Sequence, residues 1–189
     1  MNKKRLGWRM ENRKSLRLKE YDYSQPGYYY VTLCTYNKEC LFGYIADEVM
    51  VLNSKGKMVE TYWLKLLDKF PDVELVEFIV MPNHIHGIIQ LIAPNSIIGS
   101  DLRVYPADKQ IQCEYTGSSL YQIIQWFKTM TTNVYIKQVK QGRWQAFDKR
   151  IWQRSYYEHV IRNDEELIKI REYIQNNPLK WSEDKYFTP

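Results

Sequence analysis

The chain has 189 residues, 44% hydrophobic and 15% aromatic, which is enough for one domain with a real core and too apolar for a disordered polymer. No apolar run approaches the ~20 residues of a membrane span, and no apolar stretch follows the basic N-terminus, so neither a transmembrane helix nor a secretory leader is expected. The formal net charge of +5 belongs to the first twenty residues, which carry eight basic and two acidic side chains; the remaining 169 residues sum to −1. Such an arm suits a polyanion, with nucleic acid the first candidate, or it is a solvated tail, and charge alone leaves both open. Cys34, Cys40 and Cys113 are odd in number and lack Cys-x-x-Cys spacing, as in a reduced cytoplasmic protein.

After the arm, residues 21–27 are rich in turn formers and contain Pro26-Gly27. Tyr28 to Tyr36 alternates aromatic and β-branched residues and reads as a central strand. Leu41–Ile45 and Glu48–Leu52, joined through Ala46-Asp47, suggest a short hairpin. Ser54 is placed to cap a helix whose apolar face is Met58, Tyr62, Leu66 and Phe70, with Val59, Trp63 and Leu67 beside it. Pro71 ends that helix. Two short β-branched segments follow, Val73 to Val80 and Ile88 to Ala93, separated by the turn signal Pro82-Asn83 and by His84 and His86.

Residues 94–117 form a long polar stretch of the kind that is functional or mobile. Ser118 or Ser119 then caps a second helix with Leu120, Ile123, Ile124, Phe127 and Val134 on one face, stopped at Gln141-Gly142. Ser155–Ile161 reads as a strand. Asn163 with Glu166 three residues on opens a third helix, which runs to about Asn176 before Pro178. The expected fold is therefore α+β: a ferredoxin-like split βαβ, an antiparallel sheet with helices on one face, plus a C-terminal helix. In that topology the strand of the histidines is a central neighbour of the first strand.

Alternate residues of a strand share a face, so His84 and His86 are ~6–7 Å apart along it and can lean onto one metal ion. Such a pair is also compatible with a satisfied structural role. A third ligand and a nucleophile must come from an element covering that face, and the last helix qualifies. Tyr173 and Asn177 are four residues apart on it, at the edge of the stripe Leu167, Ile170 and Ile174. On spacing alone, Tyr173 is one of 16 tyrosines and Asn177 could be a simple helix stop.

Met81-Pro82-Asn83-His84-Ile85-His86 resembles the histidine–hydrophobe–histidine motif of the HUH single-strand nucleases. Arg171-Glu172-Tyr173-Ile174-Gln175-Asn176-Asn177-Pro178-Leu179-Lys180-Trp181 resembles the helix that carries their single catalytic tyrosine. Residues 152–163 resemble the block before that helix, and Arg13 to Lys19 with Asp22-Tyr23-Ser24 resembles their N-terminal segment. In this order the four stretches resemble a REP-associated tyrosine transposase, a bacterial branch of the insertion-sequence-200-like transposases. The resemblance covers nearly the whole chain outside residues 94–117.

The resemblance implies a basic arm over residues 1–24 and a single catalytic domain over 25–189. It implies that His84, His86 and Asn177 hold Mg²⁺ or Mn²⁺, and that Tyr173 is the nucleophile. The implied enzyme nicks single-stranded DNA near hairpins through a 5′-phosphotyrosine and rejoins strands. Its implied partner is single-stranded or hairpin DNA and not a membrane; it works as a monomer or homodimer, in the cytoplasm with the nucleoid. Arg13, Arg17, Lys19 and Lys128 are candidate DNA contacts, while His159 lies outside the motif and reads as structural. An alternative is a catalytically idle hairpin-binding protein of the same fold, against which the joint presence of His84, His86 and Tyr173 argues. An RNA-binding reading lacks an aromatic RNP strand, and a two-histidine phosphoesterase lacks its second motif.

Overall fold

The computed structural model describes residues 21–93 and 117–187. Arg13, Arg17 and Lys19, nearly all of the basic arm, and the polar stretch 94–116 lie outside the described residues. Among the described residues six strands and four α-helices follow one another as β1 (Gly27–Cys34), β2 (Gly43–Ala46), β3 (Val49–Leu52), α1 (Ser54–Leu64), α2 (Leu66–Lys69), β4 (Val73–Met81), β5 (His84–Leu91), α3 (Leu120–Lys140), β6 (Tyr157–Ile161) and α4 (Asp164–Gln175), and a 3₁₀ turn, Pro178–Glu183, comes after α4. No helix among the described residues is long and apolar enough to cross a membrane.

The main sheet has the order β4-β5-β1-β6 and is antiparallel throughout. This is the ferredoxin-like arrangement expected from the element order, with β1 and β5 as the central pair. β2 and β3 form a separate hairpin. Its turn residues Asp47 and Glu48 both have positive φ, as a tight two-residue hairpin requires.

The two faces of the sheet carry different cores. Tyr29, Val31 and Leu33 of β1 and Ile85, Ile89 and Leu91 of β5 pack with Trp63, Leu66, Ile123 and Phe127 from α1, α2 and α3. Tyr30 of β1, Ile88 of β5 and Ile161 of β6 pack with Ile174 of α4 on the other face. Each buried aliphatic side chain contributes about 1.5–3 kcal/mol, so the first face supplies most of the stability. The second is a smaller core, and the period-2 alternation of β5 places His84 and His86 on it.

Helix ends depart from the expectations in instructive ways. The cap of α1 is Asn53 and not Ser54: its Oδ1 accepts from the amides of Lys55 and Gly56 while its Nδ2 donates to the Leu41 carbonyl. The Asn53 amide thus accepts from two backbone N–H groups and donates to a carbonyl at once. The single helix expected up to Phe70 is interrupted at Lys65. Leu66 and Phe70 enter the core as expected, while Leu67, expected beside that face, is exposed like Leu64. On α3, Ser119 forms a full capping box with Gln122, and Thr131 and Tyr135 are buried where Val134 was expected. On α4, Asn163 caps the Glu166 amide. The Glu166 carboxylate reaches the Arg162 amide and His159 Nε2 (2.6 Å), giving His159 the structural role expected of it. These contacts hold the Glu166 carboxyl below its usual range, the Arg162 amide more than His159.

Gly87, between His86 and Ile88, is set by a close approach. A Cβ there would lie 2.3 Å from Cζ2 of the fully buried Trp63. Because the indole lies against the strand backbone, nothing flexible can yield. Gly87→Ala is therefore expected to cost about 1–3 kcal/mol in urea unfolding. The penalty should shrink in a Trp63→Leu background, and a double-mutant cycle showing no coupling between the two positions would contradict this packing.

Candidate active site

Thr32 of β1 stands opposite His86 of β5, and Cys34 opposite His84. Both imidazoles are fully buried, with Nε2 atoms 3.0 Å apart. His84 Nδ1 lies 2.8 Å from Asn83 Oδ1, and the Asn83 Nδ2 donates to the carbonyls of Lys38 and Tyr186. With its amide nitrogen committed in this way, Asn83 presents an acceptor, so His84 carries its proton on Nδ1 and turns a lone pair inward from Nε2. His86 Nδ1 faces two hydroxyls, Tyr30 Oη at 2.7 Å and Thr32 Oγ1 at 2.9 Å, which can donate or accept. Burial pushes both imidazoles down, His84 to about 4 and His86 well below its ordinary value, so both are neutral at pH 7.

The α4 helix lays Tyr173 across this pair. Its ring meets His86 at 5.2 Å between centroids and Tyr30 at 6.4 Å, both edge-on. Its hydroxyl is 3.4 Å from His86 Nε2 and 3.3 Å from Asp184 Oδ2. The ring is 42% exposed and opens onto a cleft of about 670 Å³ rimmed by Tyr157, Lys169, Glu172, Lys180 and Lys185. Partial burial, then the charge and hydrogen bond of Asp184, push the phenol up to about 12. It is protonated at neutral pH, and its proton points at a carboxylate.

Regular α4 hydrogen bonding ends at Gln175, but Asn177 keeps helical backbone angles (φ −61°, ψ −40°). Its side chain thus stays on the Tyr173 side. It is almost fully buried; its Nδ2 donates to Asp184 Oδ2 at 3.0 Å, and its Oδ1 has no hydrogen-bond partner. The chain then turns back over the histidines. His84 packs against Tyr186 (4.7 Å) and Trp181 (5.9 Å), and Lys38 Nζ holds the Lys185 carbonyl at 2.8 Å.

His84, His86, Tyr173 and Asn177 are thus brought together. Asp184 joins them, with one ligand atom from each of His84, His86 and Asp184 lying within 4.8 Å of one another. Asp184 and Tyr186 carry no signal in the sequence, because nothing in the pattern after Trp181 indicates that the chain doubles back. Lys128 is elsewhere, on α3, with its ammonium on the carbonyls of Gln153 (2.9 Å) and Ser155 (3.3 Å).

The donor set suits a divalent cation. The Nε2 atoms of two neutral imidazoles converge, and their 3.0 Å separation lets one cation meet both. Asn177 Oδ1 is a buried oxygen acceptor without a partner, and the mixed N,O character suits Mn²⁺ as well as Mg²⁺.

Comparisons with known proteins agree on one family. The family described as "Transposase IS200 like" matches residues 111–177, a span that contains Tyr173 and ends on Asn177. An uncharacterized protein of Haemophilus influenzae is 38% identical over 179 residues, 94% of each chain. A second protein of that organism, provisionally described as a REP-associated tyrosine transposase, is 25% identical over 162 residues, 84% of this chain and 74% of its own. A solved structure of a REP-associated tyrosine transposase bound to a REP hairpin shares the fold, with TM-score 0.51 at 20% identity over 87% of this chain and 73% of that one.

The tautomer assignment can be checked directly. Nitrogen-15 NMR of the metal-free protein at pH 7 is expected to show His84 as the Nδ1–H form. Asn83→Ala should release that preference, and an Nε2–H form of His84 in the unsubstituted protein would contradict the geometry.

Proposed function

Because the chain belongs to the IS200-like transposase family, we propose that its transposase-like work on DNA is the nicking and rejoining of single strands beside hairpins, with Tyr173 as nucleophile. The observation that carries this reading is the Tyr173 hydroxyl 3.4 Å from Nε2 of one of two buried, inward-facing imidazoles. The hairpin as substrate rests on the structural relative, which was solved with one.

His84, His86 and Asn177 Oδ1 would hold Mg²⁺ or Mn²⁺. Bound there, the ion supplies charge to a phosphate oxygen and makes the phosphorus more electrophilic. The residues of the chain do the rest. Tyr173 oxygen attacks phosphorus, the P–O3′ bond breaks, and the 3′ oxygen takes up a proton as it leaves. The product is a phosphotyrosine on the 5′ end, and attack on it by another 3′-hydroxyl reverses the step without an external energy source. Asp184 Oδ2 faces the phenol proton and is placed to receive it, and the same oxygen holds the Asn177 amide. Asn83, Thr32 and Tyr30 orient the imidazoles from outside the ligand shell.

Purified protein incubated with single-stranded hairpin DNA and Mn²⁺ is expected to give a covalent protein–DNA adduct on a denaturing gel. Tyr173→Phe and chelation should each abolish it. Hairpin binding without adduct across several substrates would instead assign the idle binding role. In a separate measurement, Mn²⁺ is expected to raise the thermal midpoint of the unsubstituted protein and not that of His84→Ala or His86→Ala. Asp184→Asn should keep the fold and slow adduct formation by about 10–100-fold, the range for a partner that orients a ligand; an unchanged rate would remove Asp184 from the site.

A further inference from the structure

Three lysines, Lys169, Lys180 and Lys185, line the cleft onto which Tyr173 opens, together with Glu172, Glu183 and Asp184. Among the described residues none of these lysines forms an ion pair with a carboxylate. The carboxylate of Asp184, the neighbour of Lys185 in sequence, is committed elsewhere. Its Oδ2 accepts from the Tyr173 hydroxyl and the Asn177 side-chain amide, and its Oδ1 accepts from the Tyr186 backbone amide.

Lys185 differs from the other two lysines in being held. The backbone is pinned at and after it: the Lys185 carbonyl accepts from Lys38 Nζ and the Tyr186 carbonyl from Asn83 Nδ2, both at 2.8 Å. Its ammonium lies 5.3 Å from the centre of the Tyr157 ring and 4.8 Å from that of Tyr186. Two aromatic faces fix a cation without neutralising it, because a ring quadrupole attracts charge but carries none. Among the described residues no such contact fixes the ammonium of Lys169 or Lys180. The Tyr186 ring beneath the Lys185 ammonium also packs on His84 (4.7 Å) and His86 (5.9 Å). On the other side, the Tyr157 ring meets Tyr30 at 6.0 Å, and Tyr30 meets Tyr173 at 6.4 Å. A fixed, unneutralised cation therefore stands among the rings that surround the reacting groups, on an exposed residue whose charge a ligand can reach.

Attack of the Tyr173 oxygen on a phosphodiester draws further negative charge onto the two non-bridging oxygens of phosphorus. In the reading above one of them faces the histidine side, and the other gains from a fixed donor supplied by the chain. We propose that Lys185 is a further catalytic residue, its ammonium donating to this second non-bridging oxygen of the scissile phosphate. It forms no covalent bond and gives up no proton; the bond made is Tyr173 O–P and the bond broken is P–O3′. Adjacent side chains then take opposite parts, the Asp184 carboxylate facing the phenol proton and the Lys185 ammonium facing the phosphate.

This assignment rests on the nicking reading, and the test is the rate of adduct formation at saturating hairpin DNA with Mn²⁺. It compares the unsubstituted protein with Lys185→Met, which keeps the apolar stem without the charge, and with Lys185→Arg, which restores a cation. Lys185→Met is expected to slow the step about 10–100-fold, less than the ~10²–10³ of a donor in an enclosed site because Lys185 is exposed. Lys185→Arg should recover most of that loss. Hairpin affinity in chelator, read by fluorescence anisotropy, should change by less than about threefold, since one phosphate contact among several is removed. The melting temperature, and its rise with Mn²⁺, should match the unsubstituted protein. An unchanged rate in Lys185→Met, a loss that Lys185→Arg does not recover, or a fall in hairpin affinity as large as the fall in rate would overturn the assignment. A lower melting temperature or a smaller rise with Mn²⁺ alongside the slower rate would also overturn it, by giving Lys185 a structural role. No adduct from the unsubstituted protein would remove the nicking reading and this assignment together, whereas adduct formed at full rate by Lys185→Met would remove this assignment alone.

Discussion

The register between β1 and β5 is the constraint on which the site depends. Thr32 opposite His86 and Cys34 opposite His84 place the polar residues of both central strands on one face. Val31, Leu33, Ile85 and Ile89 then fill the other. A slip of one residue would turn the histidines into the larger apolar core and expose the aliphatic set to the α4 side. The core thus enforces the register, and the register aims the imidazoles. Gly87 tightens it further, since only that residue of β5 lets the Trp63 ring touch the backbone.

Two buried imidazoles side by side are costly unless each nitrogen has a partner. The outer nitrogens are satisfied within the fold by Asn83, Tyr30 and Thr32. The inner ones face one another at 3.0 Å, where two lone pairs repel unless a proton or a cation lies between them. His84 is committed to an inward lone pair by Asn83, whereas His86 can shift its proton between nitrogens because its outer partners are hydroxyls. Without a metal, His86 can donate to His84; with one, both can accept it. The hydroxyl pair on Tyr30 and Thr32 is what lets one fold serve both states.

Much of this was legible in the sequence, for definite reasons. Period-2 geometry put His84 and His86 on one face, four-residue spacing put Tyr173 and Asn177 on one side of a helix, and the order of elements implied the sheet order that is observed. The misses have a common physical origin. Asn53 and Ser54 are both competent caps, and only the Leu41 carbonyl, brought close by the β2–β3 hairpin, selects Asn53. The break at Lys65 involves neither glycine nor proline, the residues that would signal one in a sequence. Asp184 belongs to a chain reversal held by Lys38 and Asn83, which lie about a hundred residues or more away in sequence.

Asp184 also bears on why an asparagine can stand four residues after the tyrosine. An isolated amide rotates freely and offers oxygen or nitrogen with little preference. Here the carboxylate oxygen takes the Asn177 Nδ2 proton at 3.0 Å, so the nitrogen is turned toward Asp184 and Oδ1 remains without a partner. That carboxylate oxygen also accepts from the Tyr173 hydroxyl, and its companion accepts from the Tyr186 amide at 2.6 Å. One anion therefore sets the rotamer of the Asn177 amide and the direction of the Tyr173 phenol proton together. It does so within reach of the two imidazoles, since one ligand atom from each of His84, His86 and Asp184 lies within 4.8 Å of the others.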